Sequence, residues 1–273
     1  MVCKAKRGTS DQNSTNIVEE AVAAGIRDIL IVTGKSKKIL EDYFDSAPEL
    51  ESLLEREGKE EFLQICRSTE KLANIHYIRQ PHATGFADAI LLAQTFTGGD
   101  PFAILLGDDI IYTPKGERAG IGQLIDVYAE TGKPAVAVME VSDADIPKYA
   151  NIKGTQTGDH TVSIEQIVEK PAVCEKFSNR AVIGRYVVES DIYDIIRTTP
   201  PSQSGEVYFT DALGALAKQD RLVGCLFTGK RYDAGNKLEY LEANIEYALR
   251  DPSLGDGMRS YIKSLAKKLE NRE

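Results

Sequence analysis

The 273-residue chain has no apolar run approaching the roughly 18 residues a membrane-spanning helix needs, which argues against a transmembrane segment. Residues 1–10 carry basic side chains with no apolar core behind them, so no secretory signal is expected there. The cysteines, Cys3, Cys66, Cys174 and Cys225, form no C-x-x-C pair and stand beside no histidine cluster. That removes the usual zinc and dithiol motifs and predicts reduced, packing cysteines in a cytoplasmic protein. The only histidines are His76, His82 and His160, so H-E-x-x-H is absent, and no Ser-His-Asp or Cys-His arrangement is visible. Hydrolysis through zinc or an activated nucleophile is therefore not expected. Basic residues are outnumbered, 33 against 42 acidic, and the net charge of -9 disfavours non-specific binding to nucleic acid or to an anionic membrane. Phosphorylated small molecules stay open, because a metal ion, a few lysines and helix amino-termini can reverse the local potential. Two nucleotide signatures also fail. Gly34-Lys35-Ser36 ends like a P-loop, but the required earlier glycine is Ile29; Gly120-Ile121-Gly122 lacks both the third glycine and the preceding strand of a dinucleotide fingerprint. The second failure weakens a nicotinamide-dependent dehydrogenase. There is no internal repeat, low-complexity tract or flexible linker.

What is present is a rhythm of buried strands and amphipathic helices. Phe102-Ala103-Ile104-Leu105-Leu106 is apolar without alternation, which predicts a strand buried on both faces, and it ends in Gly107-Asp108-Asp109. Residues 29–33, 74–79 and 135–141 predict further strands. Asn16 and Glu19 resemble a capping box for a helix whose apolar face is Ile17, Val18, Ala21 and Val22 and whose end is Gly25. Residues 36–71 predict two helices divided by Pro48, and residues 86–95 and 121–129 predict two more. This alternation implies right-handed crossovers and a doubly wound sheet. From Tyr149 the strands shorten: 151–153, 162–169 and 181–188 read as ribbon segments of a mixed region folded over the first half. Helices at 190–198 and 208–218 and a strand at 222–227 follow. Two closing helices carry apolar faces, Leu238, Leu241, Ile245 and Leu249 in one, Met258, Tyr261, Ile262, Leu265 and Leu269 in the other, which pack on their own sheet or form a subunit contact. The expected fold is α/β, a doubly wound mixed and mostly parallel sheet with a small β-ribbon region and C-terminal helices.

The residues able to carry chemistry fall on loops after strands: 80–85, Asp108-Asp109, Glu169-Lys170-Pro171 and 230–235, with 205–211 opening a helix. Strands of such sheets deliver ligands at their carboxyl ends. One carboxylate from each of two distant loops is how magnesium is usually held, together with substrate phosphates. Each residue also has a plainer reading. Gly-Asp-Asp serves as turn chemistry, Gln80, Gly85, Lys170 and Asp233 as loop or strand-end residues, and Gly184 as a bulge.

Taken in order, Ile17-Val18-Glu19-Glu20-Ala21-Val22-Ala23-Ala24-Gly25-Ile26, the run from Phe102 to Ile110, Glu169-Lys170-Pro171, Ile183-Gly184-Arg185-Tyr186-Val187, the 205–211 cluster and Lys230-Arg231-Tyr232-Asp233 resemble the bacterial UTP-glucose-1-phosphate uridylyltransferases, or UDP-glucose pyrophosphorylases, over residues 17–255. The resemblance implies the Rossmann-like fold of nucleotide-diphospho-sugar transferases, with 1–16 a polar N-terminal segment, 17–255 the nucleotidyltransferase domain, and 256–273 a C-terminal helix of the same domain or of a subunit contact. It also implies that the phosphate of glucose 1-phosphate attacks the α-phosphorus of UTP, giving UDP-glucose and pyrophosphate. By that resemblance Asp108 and Asp233 hold Mg2+, with Asp109 a helper or turn residue. Gln80, Gly85 and Asp108 bind the nucleotide, while Glu169, Lys170 and Gly184 bind the sugar. Lys170 and Asp108 take part in catalysis. The chain would work in the cytoplasm, on UTP and glucose 1-phosphate, with the terminal helices suited to a homo-oligomer.

The sequence departs from the family at its front. Relatives open with a buried strand and a G-x-G-T-R loop, followed by a lysine, whose amides and cations hold the triphosphate; none of these is here. Arg7-Gly8-Thr9 has no second glycine, and no strand pattern precedes it. Ala87 and Asp88 stand where relatives tend to carry glycine and histidine, and Ala150 follows Tyr149 where glycine is usual. The first helix is thus expected to lack the strand it should cross from. Two expectations follow: an enzyme whose true start lies upstream of Met1, or a catalytically silent relative that binds a sugar nucleotide or assembles with an active subunit.

Overall fold

The computed structural model describes residues 2–4, 11–35, 38–82, 84–203 and 205–270. Its strands are β1 (Val2–Lys4), β2 (Asp28–Thr33), β3 (Asn74–Arg79), β4 (Phe102–Leu106), β5 (Asp109–Tyr112), β6 (Ala135–Glu140), β7 (Ala150–Gln156), β8 (Thr161–Glu169), β9 (Arg180–Val188), β10 (Val223–Leu226) and β11 (Lys230–Asp233). The helices are α1 (Asp11–Ala23), α2 (Lys38–Phe44), α3 (Pro48–Arg56), α4 (Glu60–Glu70), α5 (Phe86–Leu91), α6 (Gln94–Thr97), α7 (Gly120–Thr131), α8 (Ile192–Thr198), α9 (Phe209–Ala217), α10 (Lys237–Arg250) and α11 (Gly255–Glu270).

Nine strands form one sheet in the order β3-β2-β1-β4-β9-β6-β10-β8-β7, and β11 pairs with β5 in a separate two-stranded ribbon. β3, β2, β1 and β4 are mutually parallel, as are β6 and β10. Between these two blocks β9 is inserted antiparallel to both neighbours, so a strand from the second half of the chain occupies the middle of the sheet. The β7–β8 ribbon leaves the β10 edge and returns to pair Ala150 with Val182 of β9, curling over that end of the sheet.

Successive side chains of the central strands point to opposite faces, and each face has its own helices. Leu30, Val32, Ile104, Val136 and Val138 pack with α5, α8 and α9 residues such as Ile90, Tyr193 and Leu213. Ile29, Ile31, Ala103, Leu105 and Ala135 pack with Ile17, Val18 and Ala21 of α1 and Ile121 and Leu124 of α7. This is the doubly wound mixed α/β fold expected from the periodicity.

Three details differ from the sequence pattern. A strand precedes α1 after all: β1 lies between β2 and β4, with Val2 opposite Leu30 and Ile104 and Lys4 opposite Val32 and Leu106. A three-residue strand flanked on both sides takes its order from its neighbours and needs no apolar run of its own, so nothing in residues 1–16 announced it. Arg7-Gly8-Thr9 lies in the connection from β1 to α1, outside the described residues. Helix α1 begins at Asp11, which places Asn16 and Glu19 inside the helix rather than at its cap. Residues 36–71 contain three helices, because Pro48 opens α3 and Gly58, at φ +66, separates α3 from α4.

The terminal helices do not bury their apolar faces on the sheet. Leu238, Leu241, Ile245, Tyr261, Leu265 and Leu269 are exposed, Tyr261 by 63%. Among the described residues no helix is long and apolar enough to cross a membrane.

Candidate active site at the carboxyl edge of the sheet

β4 stops at Leu106, and the chain turns through Gly107 and Asp108 into β5. β11 pairs antiparallel with β5, bringing Asp233 opposite Asp109, and the Ala234 N–H donates to the Asp108 carbonyl at 2.7 Å. A Cβ built on Gly235 would lie 3.0 Å from Asp233 Oδ1 and 3.4 Å from Asp108 Oδ2. The two carboxylates therefore converge on one small volume kept clear by a glycine. Two hard oxygen donors with room between them fit Mg2+, which takes one or two carboxylates and completes its shell from phosphates and water. Among the described residues no group of three or more His, Cys, Asp or Glu could hold a metal, in keeping with so sparse a donor set.

Asp109 faces the other way and is committed to the protein. Its Oδ2 accepts from the Gly184 N–H at 2.7 Å, and its Oδ1 accepts from Arg231 Nε at 2.8 Å and from Arg231 Nη2. Arg231, buried to 8% exposure at its side chain, also faces Asp233 Oδ2 at 3.5 Å. Its Nη1 donates to the Tyr149 hydroxyl at 2.6 Å. Burial works against this charge, but Asp109, Tyr149 and Asp233 outweigh it and hold the guanidinium pKa above its ordinary value.

Gly184 lies inside β9, where a Cβ would meet Asp109 Oδ2 at 2.5 Å and Leu106 Cβ at 2.6 Å. The β6–β9 register also shifts between Val136 and Val138, opposite this stretch. Glycine here is required by the close packing of Asp109 and Leu106, in a stretch where the strand bulges. Next to it Arg185 is fully buried and pairs with Glu20 of α1 at 2.7 Å. Arg185 also donates to the carbonyls of Asp109 at 2.7 Å and Gly184 at 3.1 Å.

Glu169 closes β8, and its Oε2 accepts from the Thr210 hydroxyl at 2.6 Å. Lys170 follows with φ +45, one of two described non-glycine residues on the positive side, the other being Asp220. Such a backbone costs about 1–3 kcal/mol, and the following Pro171 narrows its options further. The Lys170 N–H donates to the Tyr149 carbonyl at 3.1 Å, and its Nζ lies 3.6 Å from Glu169. Beneath both clusters sits Tyr186, whose hydroxyl pKa is pushed up by burial and by the charges of Asp109, Glu169 and Asp108.

Gln80 follows β3, and its Nε2 donates to the Gly85 carbonyl at 3.1 Å. Gly85 has φ +130, which demands glycine, and a Cβ there would meet Glu206 Oε1 at 2.5 Å and push that side chain aside. Phe86, Phe209 and Tyr186 form an aromatic cluster, with centroids 5.4 Å apart for Phe86–Phe209 and 5.2 Å for Tyr186–Phe209. That cluster joins the 80–85 loop to β9 and α9. The structure thus brings Asp108, Asp109, Asp233 and Gly184 into one group. Glu169 and Lys170 adjoin it through Tyr149 and Tyr186, and Gln80 and Gly85 lie farther along the same edge.

Arg231 lay within the 230–235 loop singled out for chemistry, but its commitment to Asp109 was not foreseen; sequence reasoning missed Tyr149, Glu20 and Arg185. A signal existed for Arg185, a charge in the middle of the apolar run 181–188; Tyr149 carried none. A cavity of about 520 Å³ lined by Arg27, Asp28, Phe102 and Tyr128 opens at the opposite, amino-terminal edge, away from where such sheets bind ligands.

Residues 12–249 match the family described as Nucleotidyl transferase. The chain is 43% identical over 249 residues to UTP–glucose-1-phosphate uridylyltransferase 2 of Staphylococcus saprophyticus, covering 91% of this chain and 85% of that one. It is similar to a solved UDP-glucose pyrophosphorylase complexed with UDP-glucose, at 31% identity and TM-score 0.81 over 92% of this chain and 98% of that one. It is also similar to a UTP-bound UGPase from Acinetobacter baumannii, at 30% identity and TM-score 0.85 over 97% and 98%.

Proposed function

The chain belongs to the nucleotidyl transferase family, and from that premise we propose that it joins UTP and glucose 1-phosphate to form UDP-glucose and pyrophosphate. The observation that carries this reading is the convergence of Asp108 and Asp233 above Gly235, beside the Glu169–Lys170 strand end. A phosphate oxygen of the sugar phosphate attacks the α-phosphorus of UTP, the bond to the β-phosphate breaks, and pyrophosphate leaves. Little covalent chemistry is asked of the protein, which aligns two anions and balances their charge.

In this reading Asp108 and Asp233 hold Mg2+, which when bound neutralises phosphate oxygens as charge moves to the leaving group. Lys170 pairs with the sugar phosphate and Glu169 accepts sugar hydroxyls. Gln80 and Gly85 face the base, Gly85 by allowing close approach to its backbone. Asp109 and Gly184 shape the floor under the sugar. The same reading puts the chain in the cytoplasm, and the exposed apolar faces of α10 and α11 support a homo-oligomer.

A second reading rests on one fact: the sequence contains no G-x-G-T-R loop. Loss of even one preorganised donor to a developing charge costs about 3 kcal/mol. On that count the chain would bind the sugar nucleotide without turning over. The deciding experiment mixes the full chain with UTP, glucose 1-phosphate and Mg2+ and follows pyrophosphate. Release that falls at least ~100-fold in Asp108→Ala and Asp233→Ala supports the enzyme. No release, with UDP-glucose still bound, favours the silent relative.

A further inference from the structure

Lys170 holds a left-handed backbone that its own side chain does not explain. The side chain is 60% exposed, and its ammonium faces the neighbouring Glu169 at 3.6 Å. What fixes the backbone is the bond from its N–H to the Tyr149 carbonyl, at 3.1 Å, beside the first β7–β8 pair, Ala150 with Glu169. Tyr149 in turn is anchored away from Lys170, toward the carboxylates. Its hydroxyl accepts from Arg231 Nη1 at 2.6 Å, and its ring centroid lies 5.0 Å from the guanidinium carbon. Nε and Nη2 of Arg231 donate to Asp109, and the same group faces Asp233 at 3.5 Å and Glu239 at 3.9 Å.

One buried guanidinium therefore touches the carboxylate cluster on one side and, on the other, the residue whose backbone sets Lys170. We propose that Arg231 and Tyr149 are a positioning pair that fixes the Lys170 turn relative to Asp108 and Asp233, so that the sugar phosphate and the nucleotide phosphates meet in register. This rests on the nucleotidyl-transfer reading above. Neither residue touches substrate; both act through others. Simple neutralisation of Asp109 would be served by a lysine, whereas reaching Asp109 and Tyr149 at once needs the planar fork of an arginine.

The test uses the full chain with Mg2+ and calorimetric titration of UDP-glucose and, separately, UTP. Tyr149→Phe keeps the ring over the guanidinium and removes only the hydroxyl. It is expected to weaken UDP-glucose ~3–10-fold, the effect of one hydrogen bond, while UTP stays within ~2-fold and the thermal midpoint falls by no more than about 4 °C. Arg231→Lys is expected to weaken both ligands, because a single ammonium cannot hold Asp109, Asp233 and Tyr149 at once. Where turnover is measurable, Tyr149→Phe raises KM for glucose 1-phosphate and leaves KM for UTP. Equal loss on both ligands in Tyr149→Phe, or no loss on UDP-glucose, overturns the positioning pair while leaving the transfer reading intact. A wild-type chain that binds neither ligand overturns the transfer reading itself, and the positioning pair with it.

Discussion

Arg185→Met is the substitution whose consequence the structure defines best. The guanidinium is wholly buried and spans Glu20 on α1, the Asp109 carbonyl at the head of β5 and the Gly184 carbonyl in β9. Methionine fills much of the same volume but leaves the Glu20 carboxylate, 8% exposed, with the Ile121 N–H at 2.8 Å as its remaining described donor. Removing one partner of a buried pair costs about 3–5 kcal/mol, because it leaves an uncompensated buried charge. Against a total stability of about 5–15 kcal/mol this is a large fraction. Equilibrium urea unfolding reads it directly: with a slope near ~3 kcal/mol per molar, the midpoint should fall by roughly 1–1.7 M at constant slope. Glu20→Gln leaves the opposite charge stranded and should cost a similar amount. The double variant Glu20→Gln/Arg185→Met removes both charges and keeps an acceptor for Ile121. It should lose less than the sum of the singles by at least ~2 kcal/mol. A single variant within ~0.5 kcal/mol of wild type, or a strictly additive double, would refute the reasoning that this pair is a buried, mutually dependent unit.

Gly235→Ala places a methyl 3.0 Å from Asp233 Oδ1 and 3.4 Å from Asp108 Oδ2, so it should raise the Mg2+ concentration that half-saturates UDP-glucose binding; an unchanged Mg2+ titration would deny these carboxylates that role. Glu246 is held down at about 2 by Lys230, then by Tyr232 and Arg250. Its folded pKa lies below its unfolded one, so its contribution is complete above pH ~4.5 and is lost as pH falls toward about 2. The stability gap between wild type and Glu246→Gln, at most ~1 kcal/mol for so solvated a cluster, should close over that window, and a pH-independent gap would contradict the assignment. Burial pushes the Cys225 thiol up to about 11, whereas Cys174 is exposed, so mass spectrometry after alkylation at neutral pH should find Cys174 modified and Cys225 intact in the folded chain.

The sequence by itself determined the repeating elements and the place of the first acid. Residues 29–33 and 102–106 read as strands because local apolar runs suffice to mark a buried strand, and Asp108 was legible because a ligand-bearing acid belongs where such a strand ends. β1 was illegible because two neighbours impose its conformation; three residues carry no period. Tertiary structure alone decided how the acids divide their work. The insertion of β9 between β4 and β6 presents the Gly184 amide to Asp109, and the β5–β11 ribbon brings Arg231 and Asp233 to the same corner. Asp108 is thereby left facing Asp233 across Gly235, while its neighbour is bound into the protein. These contacts join segments far apart in the chain, and side-chain periodicity records only which face a residue occupies, never which distant strand will lie beside it.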